Sequence, residues 1–234
     1  LYFIIVLQII KTMFFFRINK LKIIDNKEMP SFLGIFGPDI AQVKLISFVT
    51  TDQMSLPDMT EFLKTKDPIV KKNILKVAVT QVVDARILTM VENVKDNHLM
   101  YFGDTGYVLY KSKIIPDHFD WQLVVYESDM AIRDTAMMIE DIVNDEEFDE
   151  FSDNLLKLIS KAKNPGYMAA VAIGKFASKV TLKVASKNKD DMIGIVYMSL
   201  NRWEHYPFGE RKKDDMPDMT NNMLIDYSIF GFDE

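Results

Sequence analysis

Residues 190–234 read DDMIGIVYMSLNRWEHYPFGERKKDDMPDMTNNMLIDYSIFGFDE, and this stretch decides the fold class that the sequence predicts. Nearly every residue of 192–200 is apolar, which is typical of a strand covered on both faces. In 223–230 apolar residues alternate with polar ones, which is typical of a half-buried strand. The sequence therefore predicts two strands joined by a long loop that is rich in charged residues.

The composition is that of an ordinary globular protein of 234 residues, with 48% hydrophobic and 26% charged side chains. A net charge of −6 argues against nucleic acid as a partner. The chain has no cysteine, which excludes disulfide scaffolds, thiolate metal sites and cysteine nucleophiles. This absence fits a reducing compartment such as the cytoplasm, which we favour, but it also fits many secreted bacterial proteins.

The first twelve residues differ from the rest of the chain. Residues 1–10 are apolar except for Gln8, whereas about 20 apolar residues are needed to span a bilayer. A secretory signal is not indicated, because the segment has neither a basic start nor a small-residue cleavage site. We interpret 1–12 as a non-native or extended segment that precedes a natural start at Met13. The alternative is a first strand that continues into residues 14–24.

Further strands are predicted at 14–24, 41–51, 87–94 and 121–127, and residues 99–111 also have strand character around a turn at 103–106. In the first of these, the apolar residues change from even positions to odd ones near residues 19–20. One extra residue in a strand has this effect, so we expect a β-bulge there.

Two stretches predict helices, at about residues 55–84 and 130–189. Asp67-Pro68 opens the longer helix of the first stretch, because proline at a helix start loses no needed hydrogen-bond donor. Val70, Ile74, Val77 and Gln81 form one row of that helix at spacings of three and four, and Ala78 and Val82 lie beside the row.

Successive strands without helices between them favour antiparallel pairing, since parallel neighbours need crossover connections. We predict an α+β fold in which one domain, 13–234, is an antiparallel β-sandwich of about seven or eight strands with helical insertions. A mixed sheet with helices on one face is the alternative.

Five aspartates border the two strands of the 190–234 stretch: Asp190, Asp191, Asp214, Asp215 and Asp218. Hard carboxylate oxygens at this density suit Ca²⁺, so Ca²⁺ is the cofactor that the sequence indicates. The spacing is not that of an EF-hand, and Lys212 and Lys213 lie beside three of the aspartates. A solvated acidic loop without metal is the simpler interpretation.

His205 lies in the run WEHYPF within the charged loop. A histidine can act as a general base when a carboxylate orients it, and Glu204, Glu210 and Asp218 are the candidates for that role. No nucleophile and no zinc-binding spacing of histidines accompany it. We expect the aromatic residues to fix this loop on the body of the protein, and we regard Trp203 and His205 as candidate binding residues.

Lys175, Lys179 and Lys183 recur every four residues on the last predicted helix, opposite an apolar stripe. A basic face opposite an apolar one is typical of helices that bind anionic lipid, so these lysines are also candidate binding residues. The stripe is rich in alanine and lacks tryptophan, as expected for a helix packed on a sheet. A solvated lysine face is therefore the alternative.

Two runs, SLNRWEHYPFGERKKDDMPDMTNNMLIDYSIFGF at 199–232 and YFGDTGYVLY at 101–110, resemble an uncharacterised bacterial family of stand-alone β-sandwich domains with helical insertions. That family has no assigned activity and is distantly similar to C2 domains in topology. C2 domains often bind Ca²⁺ and phospholipid through loop aspartates, but their aspartate pattern has no residue-by-residue match here. The resemblance implies a C2-like sandwich and leaves the ligand residues unassigned.

The sequence favours a non-enzymatic, C2-like binding module that recognises a protein partner or an anionic membrane surface. The basis is a complete set of strands without a recognisable catalytic grouping. One alternative is a hydrolase, either metal-dependent or built on histidine and glutamate. Another is a structural or effector component of a larger assembly. The oligomeric state stays open.

Overall fold

The structure, a computed structural model, describes residues 13–27, 40–127, 135–187 and 191–232, which form nine strands and six helices. The strands are β1 (Met13–Ile23), β2 (Ala41–Thr51), β3 (Ile87–Val94), β4 (His98–Tyr101), β5 (Tyr107–Ser112), β6 (His118–Glu127), β7 (Met192–Asn201), β8 (Glu210–Pro217) and β9 (Met223–Phe232). The helices are α1 (Met59–Lys64), α2 (Pro68–Asp84), α3 (Thr135–Val143), α4 (Phe148–Ile159), α5 (Pro165–Lys187) and α6 (Arg202–His205). Segment 1–12 lies outside the described residues.

The strands form two antiparallel sheets. Sheet A has the order β4-β1-β9-β8, and β5 pairs with the same edge of β1 as β4 does, one strand on each side of the β1 bulge. Sheet B has the order β3-β2-β6-β7. The predicted α+β class and antiparallel pairing are confirmed.

The facing sides of the two sheets share one hydrophobic core. Phe16 of β1 meets Trp121 of β6 edge-on, with ring centroids 5.0 Å apart, and both side chains are fully buried. Ile193 of β7 and Ile225 of β9 belong to the same core, although the two strands lie in different sheets. The two strands that decided the predicted fold class therefore face each other across a sandwich-like interior.

A second core lies between the outer side of sheet B and the helices. Alternate residues of the central strands supply it, including Ile46 and Phe48 from β2 and Val124 from β6. Ile173 and Ala177 of α5 are fully buried against them. The order of layers among the described residues is therefore sheet A, sheet B and helices, with sheet B covered on both sides.

The expected bulge in β1 is confirmed. The register between β1 and β9 shifts between Ile18 and Lys20. Phe16 and Ile18 are buried before the shift, and Leu21 and Ile23 are buried after it. One extra residue thus keeps both halves of an eleven-residue strand facing the core.

Helix α2 begins where the sequence predicts, and it buries the residues beside the predicted row. The Asp67 side chain accepts a hydrogen bond from the Ile69 amide over 2.8 Å and caps the helix, with Pro68 in its first turn. Leu75, together with Ala78, Val79, Val82 and Val83, forms the buried face, whereas Val77 is 50% exposed. Ala78 and Val82, which lie beside the predicted row, are therefore buried, whereas the row itself lies at the margin of the buried face.

The predicted long loop between the last two strands was also wrong in part. Residues 202–205 form one helical turn, and 210–217 form β8, the edge strand of sheet A. The expectation that 192–200 is covered on both faces needs correction as well. β7 is an edge strand, and its outward-facing Tyr197 is 37% exposed.

Candidate functional site

Three large apolar side chains are exposed at one end of the sandwich, which we call the aromatic end. Phe208 is 91% exposed, Trp203 is 70% exposed and Ile114 is 56% exposed. Ile114 follows β5, and the two aromatic residues lie between β7 and β8. Single exposed apolar residues are normal on protein surfaces, but a group on adjoining loops marks a candidate interaction site.

Hydrogen bonds join the two loops of the aromatic end. The Tyr206 hydroxyl donates to the Pro116 carbonyl over 2.8 Å, and the Arg202 amide donates to the Asp117 carbonyl over 2.8 Å. Tyr206 is fully buried, and this burial raises the pKa of its phenol. Its ring lies 6.0 Å from that of Phe14. Tyr206 therefore anchors the segment on the core of the sandwich.

The expectation that aromatic residues fix this segment is right for Tyr206 and wrong for Trp203 and Phe208, which stay exposed. The backbone around them is nevertheless well defined. The Asn201 side chain accepts from the Trp203 amide over 2.9 Å and caps α6. Gly209 has φ +76°, and a Cβ atom there would lie 2.6 Å from the Gly231 carbonyl oxygen, so this close turn requires glycine.

Charges of both signs surround the aromatic end. Lys113, next to Ile114, is exposed, and the Arg202 guanidinium lies 5.4 Å from the centroid of the Trp203 ring. Exposed acidic residues on the same loops are Asp117, Glu204 and Glu210. The aromatic end is therefore an apolar group within a mixed polar rim rather than a strongly basic surface.

His205 stabilises the turn that carries the aromatic group. Its Nδ1 atom lies 3.1 Å from the Asn201 amide nitrogen and 3.2 Å from the Asn201 carbonyl oxygen. Asp218 lies beside Ile195, roughly 20 Å along β7 from that turn. A hydrolase that pairs His205 with Asp218 is therefore not assembled in the fold.

Asp218 fixes the turn between β8 and β9. One carboxylate oxygen accepts from the Asn222 and Met223 amides, each over 2.8 Å. The other accepts from the Ile195 amide over 3.1 Å and from the Thr220 amide over 3.0 Å. With the carboxylate 5% exposed and surrounded by these donors, Asp218 has a structural role that its sequence context did not reveal.

The other four aspartates do not join Asp218. Asp214 and Asp215 lie on the exposed edge strand β8, where Asp215 pairs with Lys20 over 2.9 Å. Asp191 is exposed before β7, and Asp190 lies outside the described residues. Within the described part of the chain, no group of three or more acidic or histidine side chains is disposed to hold a metal ion. The described aspartates therefore do not form the expected Ca²⁺ site.

The lysine row on α5 is largely neutralised by a neighbouring acidic segment. Lys183 lies 2.8 Å from Glu146 and 3.0 Å from Asp145, and these hydrogen bonds raise its pKa. Lys179 pairs with Glu147. Of the three candidate lysines, Lys175 has no ion pair among those found in the described residues. The row is therefore not a free basic face.

A buried polar group lies on the helix side of sheet B, and sequence reasoning missed it. Asp120 is 3% exposed and accepts hydrogen bonds from the hydroxyls of Tyr167 and Ser199. The Tyr167 ring stacks on His118, with centroids 5.2 Å apart. These residues are distant in sequence, so the main local signal was an aspartate within a strand of apolar residues.

Replacing Asp120 with asparagine is expected to remove a pH-dependent loss of stability. Burial raises the pKa of Asp120, although Ser199, Lys175 and His118 oppose that change. The folded state thus holds this proton more tightly than the unfolded state, and the wild type loses stability as the pH rises above about 4. Urea unfolding at several pH values should show that the stability gained by Asp120→Asn grows with pH.

The exposed variant Asp104→Asn is the control and should show no such growth. A stability difference between Asp120→Asn and the wild type that is constant, or that shrinks as the pH rises, would contradict a buried carboxyl with a raised pKa.

No protein-family model and no curated protein matches this chain. Among solved structures, the chain has similarity to human GIVD cytosolic phospholipase A2 in complex with methyl gamma-linolenyl fluorophosphonate, with 7% sequence identity and a TM-score of 0.32. The match covers 94% of this chain and 17% of that one, and at this TM-score it carries no conclusion about fold or function. Within the described residues, no helix is both long enough and apolar enough to cross a bilayer.

Proposed function

We propose that this protein is a non-enzymatic module that docks on a membrane surface through its aromatic end. The observation that carries the proposal is the exposure of Trp203, Phe208 and Ile114 on two loops that hydrogen bonds join into one unit. A bilayer interface accepts such a group, because it offers an apolar interior to Phe208 and Ile114 and a mixed interface to the indole.

The expected binding energy comes mainly from apolar burial. Fully burying one large apolar side chain is worth about 1.5–3 kcal/mol, so three that insert partly contribute about 5 kcal/mol before the costs of association. The anchoring of Tyr206 in the core keeps those costs low, since the loop need not be ordered on binding.

Electrostatic attraction is expected to add little. Lys113 can meet an anionic headgroup, which is worth about 1 kcal/mol for a residue near the surface. The net charge of −6 and the acidic residues of the same loops oppose this attraction. Anionic lipid should therefore strengthen binding only modestly.

The start of β1 and the end of β9 both lie at the aromatic end. β1 begins at Met13, which pairs with Phe232 at the end of β9, and Gly231 hydrogen-bonds to Gly209 over 2.7 Å. A C2-like topology belongs to this proposal. A cytoplasmic location belongs to it as well, because the cytoplasmic leaflet carries the anionic lipid. Ca²⁺ has no role in it.

Replacing Trp203 and Phe208 together with serine is expected to lower the vesicle partition coefficient at least about tenfold, because tenfold corresponds to only 1.4 kcal/mol of lost burial. Sedimentation with phosphatidylcholine vesicles, with and without phosphatidylserine, measures this coefficient. Tyr101→Ser is the matched control, since Tyr101 is 72% exposed on β4 and lies away from the aromatic end.

Equal sedimentation of wild type and the double variant would overturn membrane docking. Wild type that ignores vesicles but loses a co-purifying protein partner on the double substitution would assign the aromatic end to protein recognition instead.

A further inference from the structure

Three of the four sheet edges that the described residues form are protected against the addition of further strands. β8 carries the charged run 210–215 and ends at Pro217. On the other edge of sheet A, β4 and β5 have only four and six residues. β7 has the turn of Asp218 beside it, with the Ile195 amide bonded to that carboxylate. Charges, prolines, short strands and covering segments are usual means by which proteins prevent edge pairing.

The fourth edge, β3 of sheet B, has none of these protections over residues 87–91. This run reads ILTMV, without a charge or a proline, and all five residues are half-buried. Its pairing with β2 is regular from Ile87 to Val91, and the register shifts only beyond Val91. Among the described residues, no strand pairs with the outer side of β3. An apolar, regular edge of this kind is a site at which a further strand adds.

Both surfaces of this edge continue into a hydrophobic core. Ile87 and Val91 pack against the core between the sheets, and Leu88 packs against the core under the helices. Because successive side chains point to opposite surfaces, an added strand extends both cores only if it is apolar at odd and even positions alike. The sequence of β3 itself meets this requirement.

We propose that β3 pairs antiparallel with β3 of a second copy of this chain, which joins their two B sheets into one continuous sheet. A twofold axis perpendicular to the sheet generates such a pair from the same surface on both partners. Centring the axis on Thr89 pairs the whole run 87–91 with itself. Ile87 then lies opposite Val91 of the second copy, and Leu88 lies opposite Met90 of the second copy.

The charges at the two ends of the run complement each other in this register. Glu92 is exposed at one end, and Arg86 is half-buried at the other. The Arg86 Nη1 atom donates to the Val83 carbonyl over 3.0 Å, which holds the guanidinium near the start of β3. With the axis at Thr89, Glu92 lies opposite Arg86 of the second copy, and the symmetry provides this pair twice. Opposite charges directly across a strand pair are stabilising.

The dimer leaves the aromatic end of each copy accessible. β3 lies at the edge of sheet B, and antiparallel pairing directs the two aromatic ends to opposite ends of the dimer. A strand pair this short buries less area than a standard protein interface, so the dimer is expected to be reversible and to depend on concentration.

Analytical ultracentrifugation over a range of protein concentrations tests the proposal, and wild type should show a monomer–dimer equilibrium. Glu92→Lys places like charges opposite each other at both ends of the strand pair and should raise the dissociation constant about tenfold. Glu150→Lys makes the same change of charge and should leave the dissociation constant unchanged. It is the matched control because Glu150 is exposed on α4, which lies near β7 at the opposite edge of sheet B.

Thr89→Cys provides a second measurement, because the chain has no cysteine of its own. Opposite residues of an antiparallel pair have their Cα atoms within about 5.5 Å of each other, which a disulfide can span. Mild oxidation should therefore link this variant into a dimer. Lys212→Cys, on the protected and exposed edge strand β8, is the control and should not cross-link.

Wild type that stays monomeric up to millimolar concentration would overturn the proposal. So would a dimer that is insensitive to Glu92→Lys or that Thr89→Cys does not cross-link, because another surface would then form it. The double variant Trp203→Ser with Phe208→Ser should dimerise like wild type, so failure of membrane docking and failure of this pairing are distinguishable.

Discussion

Replacing Asp218 with alanine is expected to lower the free energy of unfolding by about 4 kcal/mol. The carboxylate accepts hydrogen bonds from four backbone amides, those of Asn222, Met223, Ile195 and Thr220. The alanine side chain has no hydrogen-bond acceptor for these donors. Each buried donor that loses its acceptor costs about 1–3 kcal/mol, and water can reach only some of them.

Urea unfolding measures this effect, and Asp214→Ala is the control because Asp214 lies on the exposed strand β8. The control should change stability by no more than about 0.5 kcal/mol. Neither protein should respond to Ca²⁺ or to a chelator. A Ca²⁺-dependent midpoint in the wild type that both variants lose would contradict the structural role and restore the metal hypothesis.

Replacing Trp121 with alanine is expected to cost about 3–5 kcal/mol of stability. The indole is fully buried, meets Phe16 edge-on at 5.0 Å and lies 6.3 Å from the ring of Tyr227. Its Nε1 atom also donates to the Ser47 hydroxyl over 2.9 Å. The variant therefore leaves a large cavity where sheets A and B meet, and removes one buried hydrogen bond.

The chain has two tryptophans, and the second is the natural control. Trp203→Ala removes a side chain that is 70% exposed and should change stability by no more than about 0.5 kcal/mol. Thermal and urea unfolding of both variants give the comparison. Similar losses for the two substitutions would mean that Trp203 packs against the fold, and would remove the basis for membrane docking as well.

Local signals predicted much of the fold. The change of apolar phase at residues 19–20 located the β1 bulge, because alternation along one strand records which side faces the core. Asp67-Pro68 located the start of α2, because capping depends on neighbouring residues only. Strand β2 likewise matched its prediction, since it spans Ala41–Thr51.

Features that depend on partners distant in sequence could not be predicted in this way. β8 carries the charged run ERKKDD and has no apolar alternation, because an edge strand on the surface needs little buried side-chain area. In α2 the buried face is centred beside the predicted row, at Ala78 and Val82, since periodicity alone could not distinguish neighbouring apolar rows.

The candidate sites were harder still to predict. The lysines of α5 looked like a free basic face, but the acidic residues that neutralise them precede them by more than thirty positions. The exposure of Ile114 could not be predicted, because it depends on how the loop after β5 folds against residues 202–206. Asp120 became a buried polar group only when α5 packed over β6 and brought the Tyr167 hydroxyl to its carboxylate.

The turn that Asp218 holds together also shields the free backbone of β7. The Met219 amide donates to the Ile195 carbonyl over 2.9 Å, and the Asn222 side-chain amide donates to the Ile193 carbonyl over 2.9 Å. Unsatisfied groups on a sheet edge invite strands from other molecules to add. By occupying these groups within one chain, the turn leaves fewer unpaired backbone groups on this edge of sheet B for another strand to meet.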